Sequence, residues 1–403
     1  MSNAQAENNG KLLIVGGALR SENQEIYKAF IDAIPQGKHI AVVPLASGSP
    51  SKSAAAFKND LISYGFDADK IHIVPLAVKD DRSTDDIDES QWVANANKAE
   101  LVMALESQVG GYWFTGGDQM RILDALLPQP DKPTVFLQHL RSALQQGVVI
   151  GGTSAGAAMM SNPMIAAGDS FNAVTKKSTG QYYGTETQEI GQLYIHHGLG
   201  FFPYGLVDQH FDRKARLGRL VRAMAATGVN QGYAVDEDTG MLIDLAAHTL
   251  KAVGVGSVTV LNSQKAEFTP FPFSAKDVLL SSLISGDVMD LSTGMVVDPI
   301  GAPTRGKEYF DHQALQGAGM ALGNNRVNRL LGYELLDNRG ASEVKRYNFL
   351  DSGEGFIYRF TQTRKSKGYW RVASGSVDGY TVENVMLDIE PIEVTITPRK
   401  ASD

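Results

Sequence analysis

Gly147-Val148-Val149-Ile150-Gly151-Gly152 runs directly into Thr153-Ser154-Ala155-Gly156-Ala157-Ala158-Met159-Met160. The first stretch is apolar and ends in glycines, which reads as a buried strand meeting a tight turn. The second is built of small and helix-forming residues. A strand that passes into a helix through one serine is the unit of an α/β sheet. In that setting Gly152-Thr153-Ser154-Ala155-Gly156 fits G-x-S-x-G, the sharp turn that lifts a hydroxyl out at the sheet edge. The helix start behind Ser154 directs N–H groups and a positive dipole end towards a developing oxyanion. A serine here can also be an inert helix cap. The strand, the glycines and the helix together favour a nucleophile.

Outward from this stretch the same alternation repeats. Lys11-Leu12-Leu13-Ile14-Val15-Gly16-Gly17, His39-Ile40-Ala41-Val42-Val43-Pro44-Leu45, Ile71-His72-Ile73-Val74-Pro75-Leu76 and Gly111-Tyr112-Trp113-Phe114-Thr115-Gly116-Gly117 read as strands. Helical patterns over 23–34, 53–64 and 119–127 lie between them. Strands that are apolar throughout and separated by helices predict a parallel sheet with helices on both faces. Ligands bind beyond the carboxyl ends of such strands. Gly16-Gly17, Gly116-Gly117 and Gly151-Gly152 all fall there. Any one pair can be a turn and nothing more; three at one edge predict a site.

Short strands over 232–244 and 249–261 are expected to close this first unit. After about residue 268 the composition shifts. A helix is expected over 311–337, with antiparallel strands over 356–363, 368–373 and 390–397, where β-branched and aromatic residues collect. The division expected is thus a tag or disordered stretch over 1–10, a catalytic unit over 11–267 and an extension over 268–403.

The 403 residues carry 37 Lys and Arg against 45 Asp and Glu, a net charge of −8. That argues against nucleic-acid binding by bulk charge, which needs a basic surface. Without a single cysteine, disulfides, thiolate catalysis and thiolate metal sites are excluded. No H-E-x-x-H or clustered ligand spacing points to a metal, and no cofactor is expected. The apolar run Leu12–Leu19 is far short of the ~20 residues that span a bilayer, so no membrane association is expected. Met1-Ser2-Asn3-Ala4 resembles a cloning scar, which leaves the native start open.

A serine nucleophile needs a base. Of eight histidines, His39 and His72 lie in or beside strands, and His139 and His248 lack polar company in the sequence. His196-His197 is a plausible alternative. His210 stands out in Val207-Asp208-Gln209-His210-Phe211-Asp212-Arg213-Lys214-Ala215-Arg216-Leu217-Gly218-Arg219-Leu220, where a base, hydrogen-bonding groups and several cations share one stretch. The plainer reading is a solvated charged helix, and for Arg213 it is preferred.

Three stretches carry a resemblance. Ile150 to Ala157, Thr115-Gly116-Gly117-Asp118-Gln119, and Asp208-Gln209-His210-Phe211 with Arg216-Leu217-Gly218-Arg219-Leu220 resemble cyanophycinases, which belong to the serine peptidase family that also holds the aspartyl dipeptidases. The likeness covers about residues 11–265. It implies a class I glutamine-amidotransferase-like fold with a Ser-His-acid centre. It implies an exopeptidase acting on cyanophycin, a poly-aspartate backbone with arginine on each β-carboxyl, to release β-Asp-Arg dipeptides. Ser154 would be the nucleophile and His210 the base. The Gly117 and Ala155 N–H groups would form the oxyanion hole. Gln119, Asp208, Gln209, Lys214, Arg216 and Arg219 would line the substrate pocket. Each arginine arm ends in a carboxylate, which suits bidentate capture by Arg216 and Arg219, while Asp208 would accept from guanidinium groups.

The third member is expected between serine and histidine, in a stretch with an insertion around 176–184. Counting back from His210 selects Glu186; counting forward from Ser154 selects Asp169. Glu186 is preferred, because Thr185-Glu186-Thr187 before Gly198-Leu199-Gly200-Phe201 resembles the family's approach to His210. Lys214 stands where related sequences often carry arginine, keeping the charge but losing the planar fork. The extension resembles longer, exported forms, which implies a secreted or periplasmic protein, and the resemblance admits a homodimer. The runner-up is a related peptidase for β-aspartyl or N-terminal aspartyl peptides. An α/β-hydrolase esterase shares G-x-S-x-G but lacks the arginine cluster, and a non-catalytic binding protein need not keep both Ser154 and His210.

Overall fold

Strands β1 (Lys11–Val15), β2 (His39–Val43), β3 (Ile71–Ile73), β4 (Val109–Phe114) and β5 (Val149–Thr153) lie parallel in the order β1-β5-β4-β2-β3. The computed structural model describes residues 9–397, except 85, 315, 318–325 and 374–376. Residues 1–8 of the expected tag or disordered stretch therefore lie outside the described residues. Period-two alternation explains why these strands are apolar throughout. Leu13, Val15 and Trp113 pack on one face against Ile26 and Phe30 of the helix Gln24–Ala33. Leu12, Ile14, Tyr112 and Phe114 pack on the other, against Ile122 of Gln119–Leu126 and Leu140 of Val135–Gln145.

The sheet is mixed rather than wholly parallel. Thr239–Asp244 pairs antiparallel with β1, and Thr249–Gly254, Val288–Asp290 and Met295–Val297 continue outward from it. Short turns join Thr239–Asp244 to Thr249–Gly254 and Val288–Asp290 to Met295–Val297, which favours antiparallel neighbours, while residues 255–287 between the two pairs enter the second sheet.

A second sheet runs Ala302–Pro303, Lys367–Ala373, Val377–Glu393, Phe273–Ile284, Ser257–Asn262, Gln231–Val235, Leu206–Asp208. Ladder bonds join Phe273–Ile284 both to Ser257–Asn262 and to Val377–Glu393. The sheet thus passes without a break through the boundary expected at 267–268. Its core gathers Phe211, Leu220 and Val221 with Phe356, Val385 and Leu387. The strands expected over 356–363 and 368–373 are present as Glu354–Thr361 and Lys367–Ala373, whereas the one expected over 390–397 is only the end of Val377–Glu393, and 394–397 are not strand. The helix expected over 311–337 shrinks to Val327–Arg329 and a π-helical turn Leu330–Leu336, with 315 and 318–325 outside the described residues. No described helix is long and apolar enough to cross a membrane.

Candidate active site

Five strand ends meet at one edge: those of β1, β4, β5, Leu206–Asp208 and Gln231–Val235. Ser154 follows β5 and opens the helix Ala155–Ala158 with φ 54° and ψ −107°. Such a conformation is costly for a non-glycine residue and persists only where its surroundings enforce it. Here Ser154 N donates to Val15 O at 3.0 Å. A Cβ on Gly156 would stand 2.5 Å from Phe114 O, so only glycine lets the turn close against β4. The Gly116-Gly117 turn lies alongside: a Cβ on Gly116 would stand 3.3 Å from Ser154 Cβ. Ala155 is the first helical residue, and first-turn N–H groups have no intrahelical acceptor.

His210 lies two residues beyond Leu206–Asp208, and its N donates to Gly16 O at 2.6 Å. Its Nε2 is 2.9 Å from Ser154 Oγ, and its Nδ1 is 2.7 Å from Glu237 Oε1. A Cβ on Gly17, at φ 105°, would stand 2.2 Å from the imidazole. Burial pushes the imidazole below its ordinary pKa, and Lys214 and Arg216 act the same way; the hydrogen bond that the imidazole donates to Glu237 opposes them. A neutral imidazole facing a hydroxyl can accept its proton, and a carboxylate on the far nitrogen fixes the tautomer.

The acid beside His210 is therefore Glu237, not Glu186 or Asp169. Glu186 is exposed in the turn Thr185–Gln188. Asp169 caps the helix Ser170–Thr175, accepting from Asn172 N at 2.8 Å, and also from Gly191 N at 2.8 Å. The carboxylate beside His210 follows both serine and histidine in the chain, rather than lying between them as expected. Gln231–Val235 pairs parallel to Leu206–Asp208, so the acids that follow it emerge beside His210. The available signal was Asp236-Glu237-Asp238 directly after an apolar strand.

The other histidines are engaged elsewhere. His39 Nδ1 meets His72 Nε2 at 2.8 Å. His139 and His248 do have polar company, at the hydroxyls of Tyr112 and Tyr204. His196 and His197 meet backbone carbonyls.

Of the residues expected in the pocket, Asp208, Arg216 and Arg219 are engaged by the protein itself. Arg219 forms a two-pronged ion pair with Asp208, and its Nη1 donates to Gly168 O at 2.7 Å. Both side chains are almost fully buried. Arg216 donates to Gln209 O at 2.7 Å and Gln188 O at 3.1 Å. Burial, then the neighbouring Arg219, pulls its pKa down to about 9. Both forks thus grip the protein, and Asp208 is occupied by Arg219. Lys214 is half-exposed and pairs with Glu189. Arg213 is exposed, on a turn preceding the helix Leu217–Thr227. Gln119 donates through Nε2 to Ala166 O. The Oε1 atoms of Gln119 and Gln209 are buried without a partner among the described residues. Buried amide oxygens left unpaired are acceptors awaiting a donor.

Residues 12–250 match Peptidase family S51. The chain belongs to that family. It is a serine-type peptidase, and similar proteins share most of its length. A cyanophycinase of Synechococcus elongatus is 30% identical over 302 residues, 71% of this chain and 81% of that protein. A cyanophycinase of Trichormus variabilis is 29% identical over 274 residues, 68% of this chain and 80% of its own. A peptidase from an acI-B1 Actinobacterium, a solved structure, is 18% identical with a TM-score of 0.45, covering 71% of this chain and 98% of that one.

Proposed function

We propose that this peptidase degrades cyanophycin, releasing β-Asp-Arg dipeptides through Ser154, His210 and Glu237. The observation that carries the reading is the hydrogen-bonded line from Ser154 Oγ through the imidazole to the Glu237 carboxylate, on a strained elbow at the sheet edge. The similar cyanophycinases supply the substrate class.

In the first half-reaction, His210 Nε2 takes the Ser154 proton as Oγ attacks a backbone carbonyl between aspartyl units. The negative oxygen forms where the Gly117 and Ala155 N–H groups are expected to donate. Glu237 stabilises the imidazolium without taking its proton. The imidazolium then protonates the leaving amine, the backbone C–N bond breaks, and an acyl-serine ester remains. Water repeats the sequence with His210 again as base, freeing the acid product and Ser154.

Substrate recognition is assigned to Gln119, Gln209 and Lys214, whose polar atoms are less fully engaged than those of Arg219. The unpaired amide oxygens can accept from guanidinium donors. Lys214 can meet an arm carboxylate after releasing Glu189. Arg216 and Arg219 then act mainly by shaping the pocket. Action outside the cytoplasm belongs to the same reading, on the likeness of the extension to longer, exported forms.

Incubation with purified cyanophycin and mass analysis of the soluble products tests the reading. Accumulation of the β-Asp-Arg dipeptide supports it. No soluble product, or activity confined to short aspartyl peptides, contradicts it.

A further inference from the structure

The extension carries a cavity of ≈ 470 Å³ lined by Lys307, Tyr309, Phe310, Trp370 and Asp378, among others. Its aromatics are open to solvent although their supports are rigid. Tyr309 is 85% exposed, yet its N–H donates to the buried Asp337 carboxylate at 2.9 Å, and the next N–H, of Phe310, donates to Asp337 O at 3.0 Å. Trp370 is 39% exposed, and its Nε1 donates to Asp378 Oδ1 at 3.0 Å, which fixes the indole beside an exposed carboxylate. The two-residue strand Ala302–Pro303, paired to Trp370 and Tyr369, anchors the loop that bears Lys307 and Tyr309. Lys307 is exposed and makes no ion pair among the described residues. Large aromatic faces left in water by a bonded framework are arranged for a ligand rather than for packing.

We propose that this cavity is an accessory binding site for the arginine arms of the polymer, separate from the catalytic edge. The charge pattern selects that occupant. A guanidinium is planar and cationic: it stacks on Trp370 or Tyr309 and donates to Asp378. The same arm carries an α-carboxylate, which Lys307 can meet. Aromatic faces, one carboxylate and one ammonium thus match both charges of a single arm.

Position gives the site a length requirement. Lys367–Ala373 stands five strand spacings from Leu206–Asp208 across the second sheet, roughly 24 Å at ~4.8 Å per step. An extended backbone needs about seven residues to cover that span. Short oligomers cannot reach both sites; long chains and granules can.

The inference rests on the proposed cyanophycin-degrading activity, and the experiment separates the two. Turnover of two- or three-unit oligomers and of insoluble cyanophycin is measured for the wild-type chain and for the double variant Tyr309→Ala/Trp370→Ala. Both side chains are exposed, and an unchanged melting temperature reports an intact fold. Loss of two stacking faces is expected to lower granule turnover about tenfold while leaving oligomer turnover unchanged. Unchanged granule turnover, or an equal loss on both substrates, overturns the accessory site alone. A wild-type chain that cleaves neither substrate overturns the catalytic reading, and the accessory site with it.

Discussion

At the residue scale, Glu237 Oε1 accepts from His210 Nδ1 at 2.7 Å while His210 Nε2 faces Ser154 Oγ at 2.9 Å, so the carboxylate sets the tautomer of the base. Ser154 and His210 each sit in a local pattern that points to them, whereas the place of the acid beside them depends on which strands become neighbours. Glu237→Gln is expected to lower kcat by about 10⁴-fold, as for loss of the orienting carboxylate in other serine peptidases. Glu186→Gln, on an exposed turn, should leave kcat nearly unchanged. The pH profile adds a sign. Burial holds the imidazole below its usual pKa, so the acid limb of kcat/KM should have its midpoint below about 6.5. Glu237 opposes that shift, so Glu237→Gln should move the midpoint lower still. Arg219 shows the other limit of a sequence reading, since burial cannot be seen in a charge pattern. Arg219→Ala strands a buried Asp208 carboxylate and should cost about 3–5 kcal/mol of stability, visible in denaturant unfolding. A variant that keeps its stability and loses only polymer binding would restore the direct substrate role.

At the scale of elements, the turns after β1 and β5 are matched to the base and nucleophile they hold. Gly16-Gly17 and Gly116-Gly117 stand at the sheet edge, whereas Gly151-Gly152 lie inside β5, and the contact of Gly17 with the imidazole needs the three-dimensional fold. Gly17→Ala should push the ring from its place and lower kcat by about 10²-fold, the scale of a misplacement near 1 Å. A second turn joins the extension to the catalytic segment. Asp212 accepts from Val327 N at 3.2 Å, and its own N–H donates to Asp236 Oδ1 at 3.1 Å. Arg326 stands 4.0 Å from Asp212. Burial, then the Asp236 charge, pushes the Asp212 carboxyl up to about 7. A carboxyl raised in the folded state binds its proton more tightly there than in the unfolded chain, where its pKa is about 3.9. Its stabilising contribution is full below about 4 and is lost as pH rises through about 7. The melting temperature should therefore fall between pH 5 and 8 more steeply for the wild-type chain than for Asp212→Asn. Parallel curves would show that Asp212 does not titrate in that window.

At the scale of the whole molecule, the α/β class was readable because five strands are apolar on both faces, a pattern that only a covered sheet explains. The antiparallel continuation and the sheet shared with the extension were not, since composition changes near 268 where strand pairing does not. A chain ending at residue 267 would leave Ser257–Asn262 with one of its two partner strands, Gln231–Val235, without the other, Phe273–Ile284, and would expose Leu220 and Val221. It is expected to lose cooperative unfolding rather than behave as a free catalytic domain. Sheet, elbow and base converge on one hydroxyl, that of Ser154. Its role as nucleophile is read from the rate of dipeptide release from cyanophycin by Ser154→Ala, relative to wild type. A loss approaching ~10⁶-fold, with the fold unchanged, is predicted from removal of a serine nucleophile elsewhere; turnover near the wild-type rate with the same products would contradict it.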